Sequence, residues 1–121
     1  MMGSVDGSST NITAILDRDQ LRDITLDDPE LMREIVSMLI DDTSRQIQQL
    51  DSAIRGHDGP ECKRLAHYSK GACANVGANA VAALFKRIEA NASSGDFTGC
   101  GDAFTILKRE IELLRAEAGN L

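Results

Sequence analysis

The feature that most restricts what this chain can fold into is one long stripe of apolar residues. Met32, Val36, Leu39, Thr43, Ile47, Leu50 and Ile54 follow one another at intervals of four, three, four, four, three and four. A strand alternates every second residue, whereas a helix turns by about 100° per residue, so only a helix buries this set on one side. The flanks agree. Asp27 or Asp28 can cap such a helix, Pro29 suits its first turn, and Glu30 complements the dipole there. Gly56-His57-Asp58-Gly59 stops it.

The same periodicity recurs downstream. Pro60 opens a helix whose inner face reads Cys62, Leu65, Ser69, Ala72 or Cys73, and Val76, with Gly77 ending or kinking it. Asn79 is read as the cap of the next helix, with Val81, Leu84, Phe85, Ile88 and Ala92 inward. Ser93 to Asp96 forms a turn. A last helix carries Phe104, Leu107, Ile111, Leu114 and Ala118, with Gly119 at its end and its start blurred by Gly99 and Gly101. Upstream, Ile12–Ile24 reads as one short packing helix, and residues 1–11 as a disordered or appended leader. The core has three Phe, one Tyr and no Trp to draw on, so aliphatic side chains must fill it, which suits close-packed helices. The expectation is a single all-α domain over residues 12–121: an antiparallel up-down four-helix bundle with an additional short N-terminal helix.

Charge and cysteine usage exclude several classes. A formal net charge of −6 repels phosphate backbones, which argues against nucleic acid. No apolar run approaches a membrane span, and no basic-then-apolar start marks a signal peptide. Cys62, Cys73 and Cys100 are odd in number and irregular in spacing, which points to reduced thiols in the cytoplasm, not to a disulfide framework. Cys73 falls near a buried stripe, whereas Cys100 lies between two glycines and is expected to be exposed.

One side chain stands apart from these stripes. His67 is two positions from Leu65 and two from Ser69, roughly 200° of helical arc from each, and so faces away from the core. Its neighbours three and four residues away are Lys63, Arg64, Lys70 and Gly71. An isolated surface histidine is ordinarily just surface, and it is this setting that singles His67 out. Cations beside the ring are expected to keep it neutral, and a neutral ring nitrogen is a nucleophile. The same cations would pair with a phosphoryl group once it was attached. A mid-helix glycine costs about 0.5–1 kcal/mol against alanine, and Gly71 on this face would leave the ring open to a partner. Cys62 and His67, about 140° apart around the helix, are no metal pair, and no metal ligand set is read in the chain.

The stretch Ala66–Ala78, AHYSKGACANVGA, resembles the signature of histidine-containing phosphotransfer (Hpt) domains. That signature is an Ala-His pair, two residues, Lys-Gly, then small residues ending in Gly-Ala. LIDDT at Leu39–Thr43 and the Val81 to Ile88-Glu89 pattern are similar as well. Ala72 departs from it, since many members carry Ser there. The resemblance implies that His67 is phosphorylated, with Lys70 and Gly71 supporting transfer. It also implies a receiver domain as partner, together with a sensor or hybrid histidine kinase.

From this follows a set of expectations. The chain is a monomeric phosphorelay intermediate, not an enzyme with its own ATP-dependent kinase activity. It lacks a GxxxxGK[ST] loop, and His67 is followed by Tyr68, not by the His-Glu pattern of dimerising kinase domains. It binds no cofactor, and Mg²⁺ belongs to the receiver. Lys63, Arg64, Ala74, Asn75, Met38 and Ile35 are expected to border the docking face, although Asn75 equally suits the helix end. The rival reading is a helical adaptor that binds receivers without transferring phosphate.

Overall fold

The computed structural model describes residues 15–121. They form five helices and, among the described residues, no strand: α1 (Arg18–Thr25), α2 (Pro29–Arg55), α3 (Gly59–Val76), α4 (Asn79–Ser93) and α5 (Phe97–Ala118). The expected leader, residues 1–11, lies outside them.

Each boundary has a local cause. Asp28 caps α2 by accepting from the backbone N–H groups of Glu30 and Leu31 at 3.0 and 3.3 Å. Asp58 caps α3 through Glu61 N–H, and Asp96 caps α5 through Gly99 N–H at 2.8 Å. The Asp96 cap fixes the start of α5 at Phe97, ahead of the two glycines that blur it in the sequence.

Two expectations about helix starts are corrected. The first described helix begins at Arg18, and residues 15–17, expected to belong to it, are not helical. Ile15 and Leu16 form a bend before it, and residues 12–14 lie outside the described residues. Asp17 sets this start: its carboxylate accepts from Gln20 N–H at 3.1 Å, while its own N–H donates to the Gly77 carbonyl at 2.8 Å. At the start of α4 the cap is Ala78, not Asn79, and no side chain bonds to the helix end. Ala78 is fully buried, so the chain enters α4 through a packed residue and leaves Asn79 exposed in the first turn.

The stripes read from the sequence form one core. Val36, Leu39, Leu50 and Ile54 of α2 meet Cys62, Leu65 and Cys73 of α3 there. Val81, Phe85 and Ile88 of α4 and Phe104, Leu107, Ile111 and Leu114 of α5 complete it. Each long helix packs on the next, and α5 returns to pack on α2. The short α1 lies against α2 and α3, held by Leu21 in the core and by Gln20 Nε2 donating to the Ala74 carbonyl at 2.6 Å. The Arg18–Glu117 ion pair ties α1 to α5. No helix among the described residues is long and apolar enough to cross a membrane.

Candidate functional site

The core packing of α3 decides what its outer face offers. Leu65, Ala66 and Ser69 are buried, so His67 and Tyr68 project outward, and the His67 side chain is 70% exposed. It lines an open groove between α3 and α4 with Pro60, Lys63, Arg64 and Glu89.

The groove contains a residue whose role the sequence reading missed. Glu89 of α4 reaches across to α3 with both carboxylate oxygens: Oε2 lies 3.0 Å from Nδ1 of His67, and Oε1 accepts from Nζ of Lys70 at 3.0 Å. Partial burial pushes the Glu89 carboxyl up, but the hydrogen bonds and charges of Lys70 and His67 outweigh this and hold it below the usual carboxylate range. Glu89 is therefore ionised at neutral pH and can only accept. The proton between it and the ring belongs to Nδ1, so in the neutral imidazole the lone pair is on Nε2. The Ile88-Glu89 pair stands in the sequence as part of the resemblance, yet no spacing rule connects it to His67, 22 residues away on another helix.

This corrects the electrostatic expectation. The charged group that bonds the ring is a carboxylate, not a cation. Arg64 is turned to Glu61, its Nε and Nη2 donating to the two carboxylate oxygens at 2.8 Å each, and Lys70 is engaged by Glu89. The ring is oriented by an acceptor at Nδ1. An ionised carboxylate in this position can stabilise positive charge on the ring.

Gly71 lies in mid-helix, and a Cβ built there meets no atom of the described residues within 4 Å beyond its chain neighbours and its own helix backbone. No contact inside the fold demands glycine at this place. Of the expected docking residues, Lys63 and Arg64 line the His67 groove. Ile35, Met38 and Asn75 line a second groove, between α2 and α3, where Met38 is 66% exposed. Asn75 stays exposed there. Ala74 lies in neither groove: it is half-buried, with its carbonyl turned to Gln20 of α1.

The remaining candidates are structural. His57 sits in the α2–α3 turn and stacks on Phe97, with ring centroids 4.6 Å apart. Cys100, expected to be exposed, is fully buried, because capping by Asp96 turns this stretch into the first turns of α5 and faces its thiol to the Ile88 carbonyl. Burial pushes the Cys62 and Cys73 thiols up to about 11, which makes them poor nucleophiles. No group of three or more His, Cys, Asp or Glu side chains among the described residues is placed to hold a metal ion.

The model of the Hpt domain family matches residues 34–117, which contain His67, Lys70, Gly71 and Glu89. No curated protein matches the sequence. Among solved structures, the chain superposes on the crystal structure of histidine-containing phosphotransfer protein B (HptB) from Pseudomonas aeruginosa PAO1 with a TM-score of 0.82. The identity is 20%, and the match covers 89% of this chain and 94% of that one, a likeness in fold.

Proposed function

The chain belongs to the Hpt domain family, and from that premise we propose that His67 is the residue that carries the phosphoryl group. The family's function is phosphotransfer in phosphorelays, between receiver domains and histidine kinases. The single observation that supports His67 is its position on an open face with Nδ1 bound to a carboxylate that also holds Lys70.

The proposed step is an in-line displacement. Nε2 of His67 attacks the phosphorus of a receiver's aspartyl phosphate through a loose transition state. The N–P bond forms as the bond from phosphorus to the aspartate oxygen breaks, and the aspartate leaves as its carboxylate. The Nδ1 proton stays on the ring, hydrogen-bonded to Glu89. Lys70, within reach of the same site, neutralises the phosphoryl oxygens. The reverse reaction passes the group to a second receiver. Mg²⁺ is supplied by the receiver, and the catalysis on this side is positioning and charge.

On this reading the chain is a monomeric cytoplasmic intermediate without ATP-dependent kinase activity of its own. The order in which α2 to α5 pack supports an antiparallel up-down four-helix bundle with α1 laid against it.

The test is incubation with a receiver labelled on its aspartate. Label that moves to the chain, survives alkali, is lost in acid and fails to appear on His67→Gln is the expected result. Stable binding of the receiver with no label on the chain overturns the reading in favour of an adaptor.

A further inference from the structure

The chain has four aromatic residues, and three serve the interior: Phe85 and Phe104 are buried, and Phe97 is half-buried under His57. The fourth, Tyr68, is 52% exposed and follows His67 directly. Its hydroxyl donates to Oδ2 of Asp42 on α2 at 3.1 Å, which holds the ring across the α2–α3 seam. Asp42, through that bond and its charge, raises the phenol above its ordinary pKa, so the hydroxyl remains a donor at neutral pH.

Tyr68 lines both open grooves, the one holding His67 and the one holding Ile35 and Met38, and among their lining residues it is the side chain they share. A partner that delivers a phosphoryl group to Nε2 through the first groove must therefore meet this ring. A tyrosine already fixed at its hydroxyl offers a large apolar contact with little rotamer freedom left to lose, the property that concentrates binding energy at interfaces.

We propose that Tyr68 is the anchor on which a receiver domain seats, with an apolar ridge of the receiver beside its phosphorylated aspartate resting on the ring and reaching towards Met38. The proposal rests on His67 being the phosphoryl acceptor. Charge complementarity favours this occupant: Lys63 lines the same groove, and the incoming acyl phosphate is anionic. The role is docking, since Tyr68 touches no reacting atom in the proposed step.

The test is single-turnover transfer from a phosphorylated receiver at increasing receiver concentration, for wild type, Tyr68→Ala and Tyr68→Phe. Phosphoramidate serves as a small phosphodonor that needs no docking face. For Tyr68→Ala the half-saturating receiver concentration is expected to rise about tenfold, with the saturating rate within about twofold of wild type. Tyr68→Phe keeps the ring and loses only the bond to Asp42, so its rise is expected to be about two- to threefold. Labelling by phosphoramidate is expected to be unchanged in both. An unchanged half-saturation in Tyr68→Ala, or equal losses in the two variants, overturns the proposal, the latter by reducing Tyr68 to a clamp between helices. If wild type takes no label from either donor, it is the assignment of His67 that fails.

Discussion

Nδ1 of His67 and Oε2 of Glu89 lie 3.0 Å apart, although 22 residues and the α3–α4 turn separate them along the chain. The same carboxylate accepts from Lys70 at 3.0 Å, so one acid on α4 organises two groups on α3. In the proposed step Glu89 is thereby a positioning residue for His67.

Removing that acceptor is expected to slow transfer without weakening docking. Glu89→Ala should lower the saturating transfer rate by about 10–100-fold, the scale of loss when the partner orienting a metal-bound histidine is removed. Glu89→Gln, which keeps an oxygen acceptor, should lose less. Rapid-quench transfer from a labelled receiver measures both. A wild-type rate in Glu89→Ala would show that the ring needs no orienting partner.

The same network makes a stability prediction with a definite sign. The folded-state pKa of Glu89 is depressed below its ordinary 4.5 by Lys70 and His67 against the opposing effect of burial. Its contribution is therefore fully present above that value and is lost as the pH falls through the depressed one. Urea midpoints of wild type and Glu89→Gln, followed from neutral pH to about pH 3, should converge in that acid window. A gap that stays constant into acid would rule this linkage out.

Gly71 separates stability from function. Because a Cβ there meets nothing within 4 Å, Gly71→Ala should stabilise the fold by about 0.5–1 kcal/mol through helix propensity alone. If the open space serves a docking receiver, the same variant should transfer phosphate about tenfold or more slowly, since misplacement of reacting groups by even a methyl's width is costly. Chemical denaturation and transfer kinetics on one preparation decide the matter. A variant that is more stable and equally fast would make Gly71 dispensable for access.

Gly77 should behave in the opposite way. Its φ of +92° suits glycine, and a Cβ there would sit 2.9 Å from the Asp17 carbonyl oxygen. Gly77→Ala is expected to destabilise the chain by about 1–3 kcal/mol, combining backbone strain with displacement of Asp17. Because Asp17 N–H bonds to the Gly77 carbonyl and Asp17 caps α1, the loss should be accompanied by faster amide exchange in α1. Exchange in α1 at the wild-type rate would break the connection drawn between this turn and the first helix.

What the sequence determined by itself was the periodic part of the protein. The stripe from Val36 to Ile54, the inner faces of α3, α4 and α5, and the outward direction of His67 all follow from residues near one another in the chain, because a helix converts spacing directly into facing. Caps were legible where a carboxylate precedes a helix, as at Asp28, and illegible at Ala78, where burial does the work of a side-chain bond. Cys100 was misplaced because its glycine neighbours suggested a loop, while the Asp96 cap extends α5 through them.

Only the tertiary structure decided the surroundings of the ring. Counting along α3 gave His67 its cations but not their engagements, since Arg64 turns to Glu61 and Lys70 to Glu89. The carboxylate at Nδ1 comes from another helix, and its height there is set by how α3 and α4 pack after the turn at Gly77 and Ala78. Spacing fixes an angle about one helix axis. The distance between side chains on two helices depends on how their cores interlock, which no local pattern encodes.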